Sequence, residues 1–154
     1  MKGPVRPAPG ARRAAIPEEA AYVDLVRTAE LLSRHLAQLL KADDLSPAQY
    51  NALRILRGSP DGLTCGEIGN RMMTRDPDIT RLLDRLERRR LIARSRDDKD
   101  RRVVLTRITA EGLDVLARLD RPVRDTHRRL LGHLGAERLR ALRQLLEACR
   151  SEVA

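Results

Sequence analysis

Residues 91–112, LIARSRDDKDRRVVLTRITAEG, constrain the fold of this chain more than any other stretch. An apolar start runs into charge at Asp97, Asp98, Lys99, Asp100, Arg101 and Arg102, and the chain returns through the β-branched residues Val103, Val104 and Thr106. Two short β-runs joined by a polar turn predict a hairpin. Thr109, next in line, suits the cap of a following helix. Just upstream, DPDITRLLDRLERRR places Ile79, Leu82, Leu83 and Leu86 at the i, i+3, i+4, i+7 spacing of an amphipathic helix.

The remaining helix signals are mostly caps. Tyr22, Leu25, Ala29, Leu32, Leu36 and Leu39 recur every three or four residues and predict a first helix over about 18–41. Ser46, Pro47 and Gln49 form a capping box with proline in the first turn, and Leu45 and Tyr50 are spaced as its hydrophobic staple; this second helix is expected to stop near Gly58. Thr64 and Glu67 repeat the box, with Leu63 and Ile68 as staple, for a short third helix ending near Met73. Asp76 and Pro77 read as cap and first residue of the fourth helix, which puts Asp78 at its second position. After the hairpin, a helix through Leu113, Leu116 and Leu119, with a possible bend at Pro122, precedes a last one carrying Leu139, Leu142, Leu146, Cys149 and Val153.

Helices three and four form a helix-turn-helix, and helix followed by hairpin is the order of a winged helix. That arrangement sets one helix in the major groove of DNA while the hairpin tip reaches an adjacent groove or the backbone. Charge agrees: the net charge is +9, and residues 71–107 hold 13 Lys/Arg against 7 Asp/Glu while residues 17–70 hold 5 against 8. The excess sits on the reading unit, although an arginine-rich composition alone also produces a basic surface. With 154 residues, no Phe or Trp and only Tyr22 and Tyr50 as aromatics, one domain with a core of Leu, Ile, Val, Ala and Met is expected. A winged domain of this size cannot cover the apolar stripes of both terminal helices. A homodimer through those helices is the economical answer, intrachain packing of the first helix on the last the alternative. Two-fold symmetry would match a palindromic site.

Residues 45–112 resemble the MarR family of winged-helix transcriptional regulators, and the flanking helices extend the likeness over nearly the whole folded chain. The wing carries it most specifically: DRRVVLTRITAEG, residues 100–112, is similar to the family's Asp-x-Arg wing followed by alternating strand residues, a Thr and a helix-opening Glu-Gly. ITRLLDRLE, residues 79–87, is similar to its reading helix. The resemblance implies that Arg102 enters the minor groove, that Asp100 holds the wing in shape, and that a ligand pocket lies between dimer helices and winged domain. His35, Tyr50 and Arg54 are its polar candidates, with the staple to Leu45 an equal account of Tyr50. At Arg90 the chain departs from the family, which commonly has Gly there; Arg resists a left-handed turn.

The expected fold is therefore mainly α with a small β-hairpin wing, a winged helix-turn-helix with N- and C-terminal dimerisation helices. The expected layout is a disordered basic arm over 1–16 with Lys2, Arg6, Arg12 and Arg13, a dimerisation helix over 17–45, the winged domain over 46–108 and dimerisation helices over 109–154. The DNA-binding candidates are Asp78, Thr80, Arg81, Arg85, Arg88, Lys99, Asp100, Arg101 and Arg102. Arg88 and Arg89 read equally well as a solvated face, with an Asp84–Arg88 pair at i, i+4. Asp78 either serves the helix dipole or accepts from a cytosine amino group. His35, His127 and His133 are scattered, so no catalytic residue, metal or cofactor is expected. Cys65, in the first turn of a helix near Arg71 or Arg75, reads as a redox thiol or as a small buried hydrophobe, and Cys149 as seam packing. No apolar run suits a membrane span or signal peptide, so a cytoplasmic location is expected. The function expected is a sequence-specific double-stranded DNA regulator, a dimeric repressor released by a small-molecule effector. The alternative is a winged-helix protein-interaction module, whose mark would be acidic or apolar residues on the reading helix. Duplex RNA fits poorly, its major groove being too narrow for a helix.

Overall fold

The computed structural model describes residues 16–73 and 77–152. The arginines and lysine of the expected arm, Arg75, the expected cap Asp76 and Val153 lie outside them. Among the described residues the order is α1 (Pro17–Leu40), α2 (Pro47–Arg57), α3 (Cys65–Arg71), α4 (Ile79–Arg88), β1 (Ile92–Arg96), β2 (Val104–Ile108), α5 (Ala110–Leu131) and α6 (Gly135–Ser151). Single 3-10 turns at Lys41–Asp43 and Gly132–Leu134 follow α1 and α5. None of these helices is long and apolar enough to cross a membrane.

The chain divides into two units, Met1–Leu31 and Leu32–Ala154. The described part of the first is helical, with Tyr22, Leu25, Val26 and Leu31 exposed. In the second, Leu40, Leu53, Leu56, Ile68, Leu83, Leu86, Ile92 and Leu116 are almost wholly buried and make an aliphatic core. α5 runs through Pro122 without a break, and α6 buries none of its residues within this chain.

Local chemistry fixes where the helices begin. Ser46 Oγ accepts from the Gln49 backbone N–H at 3.1 Å while Gln49 returns a carboxamide oxygen to the Ser46 N–H at 2.9 Å, so both members of the box are made. Thr64 and Glu67 do the same for α3, and the staple residues Leu45, Tyr50, Leu63 and Ile68 are all buried. α4 starts later than the sequence indicates. Its cap is Asp78, whose carboxylate accepts the Arg81 N–H at 3.4 Å, and Pro77 lies in the preceding turn instead of at the first helical position. Either Asp satisfies the propensity for a cap; the carboxylate that reaches the N–H three residues on decides.

α4 ends in a tight turn. Leu91 N–H returns to Leu86 O at 3.0 Å and Arg90 N–H to Glu87 O at 2.8 Å, the paired bonds of a Schellman motif, with Arg90 left-handed at φ 58°. Leu86 and Leu91 are both buried, supplying the apolar contact that accompanies this motif. The turn then seats α5: Thr109 donates its hydroxyl to Arg90 O at 2.7 Å, donates its N–H to Leu91 O at 3.1 Å, and caps the helix by accepting from Gly112 N–H at 3.1 Å. Gly112 is demanded by this approach, since a Cβ there would sit 2.2 Å from Leu91 O.

β1 and β2 pair antiparallel from Ile92 opposite Ile108 to Arg96 opposite Val104. Leu63, the residue before the α3 cap, adds a bridge that the sequence does not reveal: its N–H and carbonyl exchange bonds of 3.0 and 2.8 Å with Thr106. The base of the wing is thereby fastened to the entrance of the helix-turn-helix. Because Arg90 holds a conformation that glycine adopts without steric cost, Arg90→Gly is expected to be neutral to stabilising, by up to about 1 kcal/mol. Gly112→Ala is expected to cost about 1–3 kcal/mol through overpacking. Denaturant unfolding of both variants checks this, and destabilisation by Arg90→Gly would contradict the strain argument.

Candidate nucleic-acid interface

Burial of Leu82, Leu83 and Leu86 against the core turns the opposite face of α4 outward. Thr80, Arg81, Arg85 and Arg88 are exposed on it. Arg81, with a side chain 77% exposed, pairs with Asp78 through Nε at 3.2 Å, so the capping carboxylate also steadies the first guanidinium of the row. The expected Asp84–Arg88 side-chain pair does not form. Arg88 Nε instead reaches the Asp84 carbonyl at 3.4 Å, and the Asp84 carboxylate accepts from Arg94 on β1 at 2.7 Å. Arg94 completes the link from the wing to α4 with its N–H donated to Glu87 Oε1 at 3.2 Å and its Nε 3.7 Å from Glu87 Oε2. An i, i+4 spacing merely permits a pair; a guanidinium from the adjacent strand approaches more directly.

At the tip, Asp100 Oδ1 accepts the Arg102 N–H at 2.9 Å, Asp100 O accepts the Val103 N–H at 2.9 Å, and the Asp97 N–H closes on Val103 O at 2.9 Å. Arg96 spans the hairpin to Arg101 O at 2.8 Å. A carboxylate accepting the backbone N–H two residues on is an Asx-turn, which holds the tip's backbone in one conformation. Lys99, Arg101 and Arg102 are exposed around this ordered backbone.

Not every arginine of the region faces outward. Arg89 turns to the carbonyls of Asp43 and Asp44 at the end of the first 3-10 turn. Arg71, a possible neighbour of Cys65, donates to Ser59 Oγ at 3.0 Å. Cys65 is half-buried with Sγ 3.9 Å from Thr80 Oγ1, and Cys149, read as seam packing, is exposed in this chain. The Glu67 carboxyl is held below its ordinary pKa, first by the Thr64 backbone N–H and then by the Thr64 hydroxyl.

A second feature lies between α1, α2 and α5. A cavity of ≈ 150 Å³ is bordered by Leu36, Tyr50, Arg54, Met73 and His127, and a neighbouring one of ≈ 260 Å³ shares Tyr50, Arg54 and His127 and adds Arg57, Asp120 and Arg124. Tyr50 and Arg54 border both cavities, with the guanidinium 5.9 Å from the ring centroid. His35 does not line either cavity; Ser33 and Leu36 hold that side of α1, one turn apart, and His127 of α5 supplies the imidazole. Burial pushes the Tyr50 phenol above its ordinary pKa, Arg54 opposing. Arg57 binds Asp120 through two bonds of 2.8 and 3.0 Å, which raises its own pKa.

Known proteins match this arrangement. The sequence model of the MarR family matches residues 43–103. The transcriptional regulator PecS of Dickeya dadantii is 30% identical over 124 residues, 79% of this chain and 75% of that protein. The chain belongs to the MarR family. The homoprotocatechuate degradative operon repressor of Escherichia coli is 26% identical over 125 residues, covering 81% of this MarR-family chain and 84% of that protein. A crystal structure of a MarR transcription factor from Planctomyces limnophilus superposes with a TM-score of 0.66 at 39% identity, covering 89% of this chain and 99% of that one. Within the MarR fold of this chain, Arg94 is the tie between reading helix and wing. Arg94→Met is expected to lower stability by about 0.5–1 kcal/mol at low salt, and by less at 1 M salt, because both carboxylates are partly exposed and screened. Urea unfolding at the two salt concentrations measures it; a cost independent of salt would assign the role to the side-chain stem instead.

Proposed function

We propose that this chain is a sequence-specific regulator that binds double-stranded DNA as a homodimer, represses transcription and is released by a small-molecule effector. The observation that carries the reading is the row of Arg81, Arg85 and Arg88 on the outer face of a helix anchored by three buried leucines, next to a hairpin tip already ordered by Asp100. Asp78 steadies Arg81 and the Asp84 carbonyl steadies Arg88, and guanidinium forks suit guanine edges and phosphates alike. Thr80, Arg81 and Arg85 are assigned to base edges, with Asp78 steadying Arg81; Arg88, Lys99 and Arg101 to phosphate; and Arg102 to the minor groove, with Asp100 shaping the turn. An arginine-rich row disfavours a purely protein-binding module, whose reading helix would be acidic or apolar.

Dimerisation is supported by the unburied α6 and by exposed Leu25 and Leu31 on α1, surfaces that a second copy would cover. Residues 17–45 and 109–154 would then form the dimer frame, 46–108 the reading unit and 1–16 a basic arm. The apolar cavity beside Tyr50, adjoining one rimmed by Arg54, Arg124 and His127 with Arg57 paired to Asp120, suits a small organic anion with an apolar body, and this is the effector class we assign. The sign of regulation rests on the relative named as an operon repressor. Such a regulator works without catalysis, in the cytoplasm with the DNA it reads.

Titration of operator and scrambled duplex at several salt concentrations tests the reading. Arg102→Ala is expected to weaken operator binding by about 1–3 kcal/mol with fold and dimer intact, and Arg81→Ala to lower the ratio of specific to non-specific affinity. Arg101→Ala is expected to weaken both duplexes equally and to reduce the salt slope by about one. Unchanged affinity in the Arg81 and Arg102 variants would remove α4 and the wing as the DNA-reading surface.

A further inference from the structure

The run Arg88, Arg89, Arg90 closes the reading helix with three guanidinia, and they have three different surroundings. Arg88 stays on the outer face, bonded to its own helix at Asp84 O, and Arg90 takes the left-handed turn. Arg89, with its side chain only 33% exposed, sends both terminal nitrogens across to another element: Nη2 donates to Asp43 O at 2.8 Å and Nη1 to Asp44 O. Those carbonyls end the 3-10 turn that prolongs α1, where a helix leaves acceptors without partners and the dipole is negative, so a cation is stabilised there twice over. Asp44 is itself left-handed at φ 51°, and Leu45 N–H returns to Leu40 O at 3.1 Å, which holds both carbonyls in a fixed pose toward α4. On the far side of the same turn, the Asp43 carboxylate, 22% exposed, pairs with Arg118 of α5 at 3.2 Å. α4 otherwise packs mainly against α2, α3 and β1. One fork thus joins the C-terminal end of the reader to the end of α1, and one further ion pair joins that point to α5.

We propose that Arg89 is a positioning residue for DNA reading and not a DNA contact: it fixes the reading helix to the ends of the helices that form the dimer frame, and so sets the separation and angle at which two copies of α4 meet two half-sites. The inference rests on the dimeric DNA-reading function proposed above. A guanidinium is required because two carbonyls are bridged by one planar fork; an ammonium keeps the charge but engages them as a point. Discrimination of spacing is the property at stake, since one base pair added between half-sites turns them by about 34° and separates them by about 3.4 Å.

The test uses the full chain, with operators of native half-site spacing and of one base pair more or fewer, a scrambled duplex, and a salt series. Arg89→Ala is expected to lose about tenfold in affinity for the native operator, equivalent to one charge-assisted hydrogen bond, while its preference for native over altered spacing falls toward unity. Affinity for scrambled duplex and the salt slope are expected to stay at wild-type values, and Arg89→Lys to fall between. Light scattering and thermal melting establish that each variant is a folded dimer, and should Arg89→Ala fail there, Arg89→Lys carries the same comparison. An equal loss on all duplexes with a salt slope lower by about one would make Arg89 a phosphate contact and overturn the proposal, as would spacing preference identical to wild type. A wild-type protein with no sequence preference at all would instead overturn the proposed function beneath it.

Discussion

Three residues of backbone at the end of α4 govern the reading unit. The left-handed turn at Arg90 stops the helix, its Schellman bonds bury Leu86 against Leu91, and the Arg90 and Leu91 carbonyls receive the hydroxyl and N–H of Thr109. Helix, strand and the start of α5 therefore share one joint. Gly112 permits α5 to come that close, and a side chain there would meet Leu91 O. Everything that faces outward on α4 and on the wing inherits its direction from this joint, because the wing strands begin at Ile92 and end at Ile108 directly beside it.

On that scaffold, arginines fall into two physical classes. Arg57, Arg89, Arg94 and Arg118 have their forks committed to carboxylates or carbonyls of other elements, Arg96 bridges its own hairpin to Arg101 O, and all five act as ties within the fold. Arg85, Arg101 and Arg102 stand exposed on α4 and the wing tip, where their charge is available to a polyanion. The net charge of +9 is thus not one undifferentiated basic surface. Part of it is consumed in holding helices to one another, and what remains concentrates where a duplex would meet the chain.

This division also marks what the sequence reveals and what it conceals. Helix starts at Ser46, Thr64 and Thr109 are legible because a cap is a conversation between residues three apart. The hairpin is legible from alternation and a charged turn, and the resemblance of residues 100–112 makes the wing specific. The start of α4 is not legible in this way, since Asp76 and Asp78 have the same capping propensity and the bond to Arg81 N–H identifies Asp78 as the cap. Long-range partners escape such reasoning: Arg94 with Asp84, Arg89 with the carbonyls at 43 and 44, and Leu63 with Thr106 each depend on elements brought together by the core. At the cavity, Tyr50 and Arg54 share one face of α2 at i, i+4, which sequence spacing shows, while the presence of His127 depends on how α5 lies beside that helix.

The central claim is that two copies of α4 and its wing read one duplex together. Sequencing the fragments that the purified protein retains from a randomised pool of double-stranded DNA tests it most directly. The account expects an inverted repeat whose half-site centres lie about 10–10.5 base pairs apart, or a multiple of that distance. A retained pool with no enriched sequence, or one enriched for a single unrepeated site bound by a monomer, would contradict it.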